Sequence, residues 1–374
     1  MAWGDIGSTK KLYKQDSVTT WGPINTPKTV QMLKQGIIQN LRMIQGGGAL
    51  AFAGATNPSK HGPYNAYTLL HLLGNSQQDI FRTSGIGMYL INCVLSGLED
   101  SSPGPNGAGA GPINPTDPDF IFDGQAITAP PTNTQWNWHL DMPVAQKIRS
   151  LGGDIGMIPM STENAQLAFE FTPTAASVSG STYTMQSSTD DLSQPYYGSN
   201  AVTIASPSLD LVRIMYEAVI NEQDMPDFDW INQWLEETPQ TYSGTAFTWK
   251  QNQDAGLLLR LIWGIFTSAS PWGITTDKLT AANAFQLSYN TDTAKFKESG
   301  LEAVARQREQ LAGHDLPLGC FFYDLLGSDL TMFDVLDSYK IPAIQLNATY
   351  SSVTLNTTVT PKVIAQRLLP IRTA

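Results

Sequence analysis

The chain has 374 residues, 15% of them charged, a formal net charge of −11 and two cysteines. That length allows two cores or one large β domain, the acidic balance leaves no basic footprint for wrapping nucleic acid, and one cysteine pair excludes a disulfide framework. Low charge with abundant Asn, Gln, Ser, Thr, Gly and Pro suits a β-rich protein that buries surface against copies of itself.

Residues 1–22 form a polar, basic N-terminal arm carrying Trp3, Lys10, Lys11 and Lys14. The opening Met-Ala-Trp-Gly-Asp lacks the basic-then-apolar pattern of a signal peptide, so synthesis in a cytoplasm is expected. No apolar run is long enough to span a bilayer as a helix: residues 255–266 are too few and contain Arg260. Strand-like material at 37–44 ends in Gly46-Gly47-Gly48, which no Lys-Ser/Thr follows, so it does not match a phosphate cradle. Residues 67–73 and 86–95 supply two further apolar runs. Residues 97–118 are punctuated by Pro and Gly and predict a long surface loop.

Trp136, Trp138 and Leu140 alternate with Asn137 and His139, the period of a half-buried strand. A Gly-Met-Ile-Pro bend at 156–159 follows, and Leu167, Phe169 and Phe171 then alternate with Ala168 and Glu170. The Ser- and Gly-rich stretch 177–204 is the expected linker, so a first domain covers 23–176 and a second covers 205–374. The second half opens with mixed runs at 209–216 and 256–266. One helix follows, with Leu301, Val304, Ala305, Leu311 and Ala312 on one face and Arg306, Gln307 and Glu309 opposite. Strands are expected again at 320–323, 343–348 and 352–356. Two β-rich halves with inserted helical segments fit a pair of sandwiches better than an α/β fold, and no residue-level repeat stands out.

The chemistry-bearing residues form no convincing site. His61, His71, His139 and His314 show no His-x-x-x-His or Cys-x-x-Cys spacing for zinc. His139 and Asp141 lack a neighbouring nucleophile, and Gly327-Ser328-Asp329-Leu330 lacks the second glycine of a nucleophile elbow. Asp224, Asp227 and Asp229 do not follow the calcium-loop pattern. Cys93 and Cys320 sit in apolar runs and are expected as buried small hydrophobes. Trp230, Trp234, Trp249, Trp263 and Trp272 crowd the second half. They allow two readings: core and subunit contact, or a sugar-stacking platform with Glu163, Glu170 or Glu236 as glycosidase carboxylates. No catalytic, cofactor or metal residue is assigned.

The segments around 36–43, 81–92, where Ser-Gly precedes an alternating strand ending in Asn92, and 136–171, then the helix at 301–312 with the strand after it, resemble tectivirus-type double-jelly-roll major capsid proteins in order and spacing. The resemblance implies a mainly β fold, two tandem eight-stranded jelly rolls with short inserted helices. It also implies a role as the major capsid protein of an icosahedral, membrane-containing bacteriophage, built of pseudo-hexagonal homotrimeric capsomers. Expected partners are neighbouring capsomers, vertex and minor capsid proteins and an internal lipid membrane, with the protein located in the virion. Trp3, Lys10, Lys11 and Lys14 would then touch membrane or lattice neighbours. The long loop at 97–118 and the tryptophan-rich region 230–249 would serve subunit contacts, neither being needed to complete a roll. The alternative is a carbohydrate-binding β-sandwich or glycosidase.

Overall fold

The chain folds on nested antiparallel pairs, and the same nesting occurs twice in this computed structural model. It describes residues 10–46, 50–52, 57–58, 64, 66–75, 78–96, 138–148, 153–160, 166–185, 187–188, 196–197, 202–217, 230–252, 255–264, 284–289, 293–311, 316, 320–326, 332, 334–341, 343–350 and 361–370. Contacts divide the chain into two units. One comprises Met1–Asn92, Ser101–Ala145 and Met157–Phe228, the other Cys93–Asp100, Gln146–Gly156 and Asp229–Ala374.

In the first unit the main strands are β1 (Lys10–Thr20), β2 (Lys28–Gln31), β3 (Ile37–Gly46), β4 (Tyr67–Gly74), β5 (Gln78–Thr83), β6 (Trp138–Pro143), β7 (Leu167–Pro173) and β8 (Ser208–Glu217). Helix α1 (Gly85–Ser96) stands between β5 and β6. β1 pairs with β8, β2 with β7, β3 with β6 and β4 with β5. Cross-pairs of β8 with β3 and of β7 with β4 join them in the orders β1-β8-β3-β6 and β2-β7-β4-β5, and the short strand Ile158–Pro159 also pairs with β3. This is one long hairpin, folded at the β4–β5 turn and rolled over on itself. Asn75 adopts φ 48° in that turn, a left-handed conformation that Asn tolerates.

The second unit repeats the plan with β9 (Trp230–Glu237), β10 (Ala246–Gln251), β11 (Leu257–Gly264), β12 (Ala284–Tyr289), β13 (Thr293–Ser299), β14 (Cys320–Asp324), β15 (Ile344–Thr349) and β16 (Val363–Pro370). Its pairs are β9 with β16, β10 with β15, β11 with β14 and β12 with β13, closed by β11–β16 and β12–β15. Helix α2 (Gly300–Gln310) again sits between the fifth and sixth strands.

Several expectations change. Residues from Lys10 onward are not a free arm: they are β1, hydrogen-bonded along β8, and Trp21 is buried in the core. Lysines hid this strand because it is an outer strand, where charge on the backbone edge is tolerated. Residues 205–217 were assigned to the second domain, but β8 pairs with β1 and β3 of the first unit. The expected linker also falls within the first unit. Short strands Ser177–Ser179, Thr182–Met185 and Val202–Ala205 pair in sequence, and the last pairs with Leu50–Phe52. Gly180 at φ 58° turns the first of these hairpins.

The segment up to Asn92 that the resemblance implies is an alternating strand is helix instead. Ile86, Met88, Tyr89, Leu90 and Ile91 are all buried, so no polar face marks the helical period, and only the run's length favours a helix.

Alternation held where one face meets the core. Leu140, Leu167, Phe169 and Phe171 are at most 2% exposed, with Ala168 and Glu170 half-buried on the other face. Trp136 lies outside the described residues; Trp138 begins β6. In α2 the sequence-based face is right for Val304 and Leu311 and wrong for Leu301 and Gln307. Leu301 is 54% exposed while Ala303, Gln307 and Leu311 are buried.

Candidate functional site

Trp21 closes the first core through aromatic contacts and a polar thread. Its ring meets Tyr67 edge-on at 5.5 Å and Tyr183 at 5.2 Å. Its Nε1–H donates to Tyr67 Oη at 2.8 Å, and Tyr67 in turn donates to Gln45 Oε1. Gln45 Nε2 reaches the Ser208 carbonyl on β8 at 2.8 Å. Burial pushes the Tyr67 hydroxyl far above the usual phenol range, so it stays a neutral donor rather than an acid. Tyr183 Oη donates to the Gly22 carbonyl at 2.8 Å, tying the 177–205 insertion to the end of β1.

The densest titratable cluster among the described residues of this unit surrounds His71. Nε2 lies 2.7 Å from Asp79 Oδ1 and Nδ1 lies 3.3 Å from Glu170 Oε2, while Thr29 Oγ1 donates to Glu170 Oε1 at 3.2 Å. The register places Thr29, Glu170 and His71 in one row across β2, β7 and β4. A general base needs one ring nitrogen free to take a proton from a reacting group. Both nitrogens of His71 already face carboxylates. The cluster is a cross-strand tie.

Of the carboxylates considered for a glycosidase, Glu170 is engaged in that tie, Glu163 lies outside the described residues and Glu236 stands half-buried on β9. Three of the five tryptophans considered for a platform are core residues. Trp234, Trp249 and Trp263 are fully buried; Trp263 stacks on Phe321 at 5.7 Å and meets Phe285 edge-on at 5.7 Å. Trp230 is half-buried and Trp272 is outside the described residues. β9 and β10 are needed to complete the second roll, which removes the reason for assigning 230–249 to subunit contacts.

Three arginines fasten the second unit. Arg367, nearly fully buried, makes a fork with Glu237 at 2.7 Å and 2.7 Å, and Trp249 Nε1 donates to the same carboxylate at 2.7 Å. Arg306 forks onto Glu298 at 2.9 Å and 2.6 Å and lies over the Tyr323 ring at 4.5 Å. Arg260 lies 3.2 Å from Asp324 and donates to Gln366 and Gln146. A bulge between Leu258 and Arg260 lets Leu258 enter the aromatic core while Leu259 packs with Ile148, Leu326 and Leu368. These are paired, hydrogen-bonded charges of the structural kind.

Lys10, Lys11 and Lys14 lie on β1, an outer strand of its sheet. Lys14 Nζ donates to Gln35 Oε1 and Tyr13 is 67% exposed. Trp3, the loop 97–118, His61, His314, the aspartates 224–229, the segment 327–330 and the expected strand at 352–356 all lie outside the described residues. Both cysteines are buried. No metal-binding group of His, Cys, Asp or Glu occurs among the described residues, and no described helix is long and apolar enough to cross a membrane.

No protein-family model matches the chain, and no curated protein sequence matches it. Solved structures do. The crystal structure of PBCV-1 VP54, fitted into a reconstruction of the virophage Sputnik, superposes with TM-score 0.62 at 12% identity, covering 98% of this chain and 95% of that one. The MCP of STIV, Sulfolobus Turreted Icosahedral Virus, gives 0.59 at 13% identity over 97% and 95%. The major capsid protein P2 from bacteriophage PM2 gives 0.50 at 6% identity over 97% and 99%. The fold is the double jelly roll these capsid proteins share, and the match runs nearly end to end on both sides.

Proposed function

We propose that this chain is a major capsid protein that assembles as homotrimeric, pseudo-hexagonal capsomers of an icosahedral virion. The observation that carries the reading is the end-to-end match of two successive jelly rolls to viral capsid proteins at 95% or more of their own length. The interior agrees with a mechanical role. Among the described residues, His71 and Glu170 are engaged in a cross-strand tie and Trp234, Trp249 and Trp263 fill a core, which takes support from the carbohydrate-binding alternative. Neighbouring capsomers, vertex and minor proteins are the partners this role needs, with the virion as its location and synthesis in a host cytoplasm. Lys10, Lys11 and Lys14, with Trp3, serve contact with either an internal anionic membrane or a neighbouring capsomer. Each lysine contributes about 1 kcal/mol at an anionic surface.

Sedimentation of native full-length protein should give a trimer or larger assembly. A monomer at high concentration that binds a defined glycan would replace this reading with the carbohydrate-binding one. For the lysines, replacing all three with Gln should reduce flotation with phosphatidylserine vesicles if they serve a membrane. Unchanged flotation with lost assembly assigns them to a capsomer neighbour.

A further inference from the structure

Helices α1 and α2 occupy equivalent places in their rolls, and both open on the same pair, Ser84-Gly85 and Ser299-Gly300. Ser84 Oγ accepts from Gly87 N–H at 3.0 Å, and Ser299 Oγ accepts from Glu302 N–H at 3.3 Å. A Cβ on Gly85 would overlap the Tyr64 carbonyl oxygen, and Gly300 is buried. Both helices then present a buried amide seven residues beyond the glycine: 92 − 85 = 7 for Asn92 and 307 − 300 = 7 for Gln307. Ser-Gly-x6-Asn/Gln is therefore shared by the two halves, a repeat too short and too dissimilar at the intervening positions to stand out in the sequence.

The two amides act on the same target. The sixth strand of each roll, β6 or β14, pairs on one side with the third strand, β3 or β11. In an antiparallel pair every second residue turns both N–H and C=O away from its neighbour. On β6 Asp141 is such a residue. Its N–H donates to Asn92 Oδ1 at 3.0 Å and its carbonyl accepts from Asn92 Nδ2 at 2.6 Å. On β14, Phe322 N–H donates to Gln307 Oε1 at 3.0 Å and its carbonyl accepts from Arg306 Nη1 at 2.7 Å. One step on, Asp324 N–H donates to Gln310 Oε1 at 3.3 Å and its carbonyl accepts from Gln310 Nε2 at 3.2 Å. These side chains make the bonds that a further strand would make. β6 then ends on Pro143, which has no N–H to offer.

We propose that Ser-Gly-x6-Asn/Gln is a duplicated edge-closing element whose amide stands in for a strand and bars a second copy of the chain from adding a β-strand to β6 or β14. An open edge is a template for pairing. Two other outer strands carry lysines in their sequence instead, Lys10, Lys11 and Lys14 on β1 and Lys295 and Lys297 on β13. The inference does not depend on the proposed function.

Residue-resolved hydrogen exchange on the unaltered full chain reads the closure directly. The amides of Asp141, Phe322 and Asp324 should exchange at least about tenfold more slowly than outward amides of β1, as a hydrogen bond of ordinary net strength dictates. Exchange as fast as on β1 would overturn the proposal. In variants, Asn92→Leu and Gln307→Leu should self-associate with concentration and gain the infrared signature of intermolecular strands below their unfolding temperature. Leu41→Ala, which destabilises a buried position without touching an edge, should not. If both edge variants behave like Leu41→Ala at equal loss of stability, the amides are ordinary core satisfiers and the idea fails. If they do not fold, the exchange measurement decides.

Discussion

Replacing Trp21 separates a strand of the roll from a detachable arm. As part of a 1–22 arm it would cost little to remove. In the structure it is 4% exposed, makes two edge-on aromatic contacts and donates to Tyr67. A buried tryptophan removes about 200 Å² from water, worth about 5 kcal/mol at 25 cal/mol/Å². Each aromatic pair adds roughly 0.5–1.5 kcal/mol. Partial relaxation of the cavity brings Trp21→Ala to about 3–5 kcal/mol, a large part of the roughly 5–15 kcal/mol that holds a domain. Trp21→Phe keeps most of the volume, and Tyr67 keeps Gln45 as acceptor, so its cost should fall to about 1–2 kcal/mol, near that of one net hydrogen bond plus lost area. Urea unfolding of the full chain, followed by circular dichroism, gives both values. A cost below about 0.5 kcal/mol for Trp21→Ala, the scale of an ordinary surface substitution, would refute the placement of β1 and Trp21 in the first roll.

Burial raises the Asp210 carboxyl above its ordinary value, so the folded state holds its proton more tightly than the unfolded one. Stability then falls as pH rises through that window. Asp210→Asn should raise the melting temperature at pH 7, with the gain fading as pH falls toward 3.8. Arg367→Met leaves Glu237 without its fork in a largely buried setting, and calorimetry should show a loss of about 3–5 kcal/mol, as for a broken buried pair. Ser299→Ala removes the capping box of α2 and should cost about 1 kcal/mol in chemical denaturation. Glu302, held below the usual carboxylate range by the Ser299 backbone and side chain, contributes stability above its ordinary value of 4.5 that is lost as pH falls through its depressed one.

Sequence revealed the strands with one face on the core and one toward solvent, because only they alternate. Leu167, Phe169 and Phe171 are the clearest case. It did not reveal elements buried on every side. Helix α1 has no polar face, and β16, with β9 on one side and β11 on the other, carries Gln366 and Arg367 inside the protein because Asn232, Gln146 and Glu237 satisfy them. The face of α2 was misassigned in part for a related reason. Arg306, Gln307 and Gln310 face inward, toward the backbone edge of β14, where polarity is required. The Ser- and Gly-rich stretch 177–204 has the composition of a linker, yet part of it folds as short strands whose Tyr183 fastens Trp21 and Gly22. The expectation of a double jelly roll survived these errors because it rested on the order of several segments and not on any one strand.

Electron cryo-microscopy of particles containing this chain tests the central claim most directly. The account predicts a closed icosahedral shell whose capsomers each show six jelly-roll units, two per chain around a threefold axis, with β1 paired to β8 within one chain. Particles whose shell is built of another protein, with this chain absent or attached singly to glycan on the outside, would contradict it.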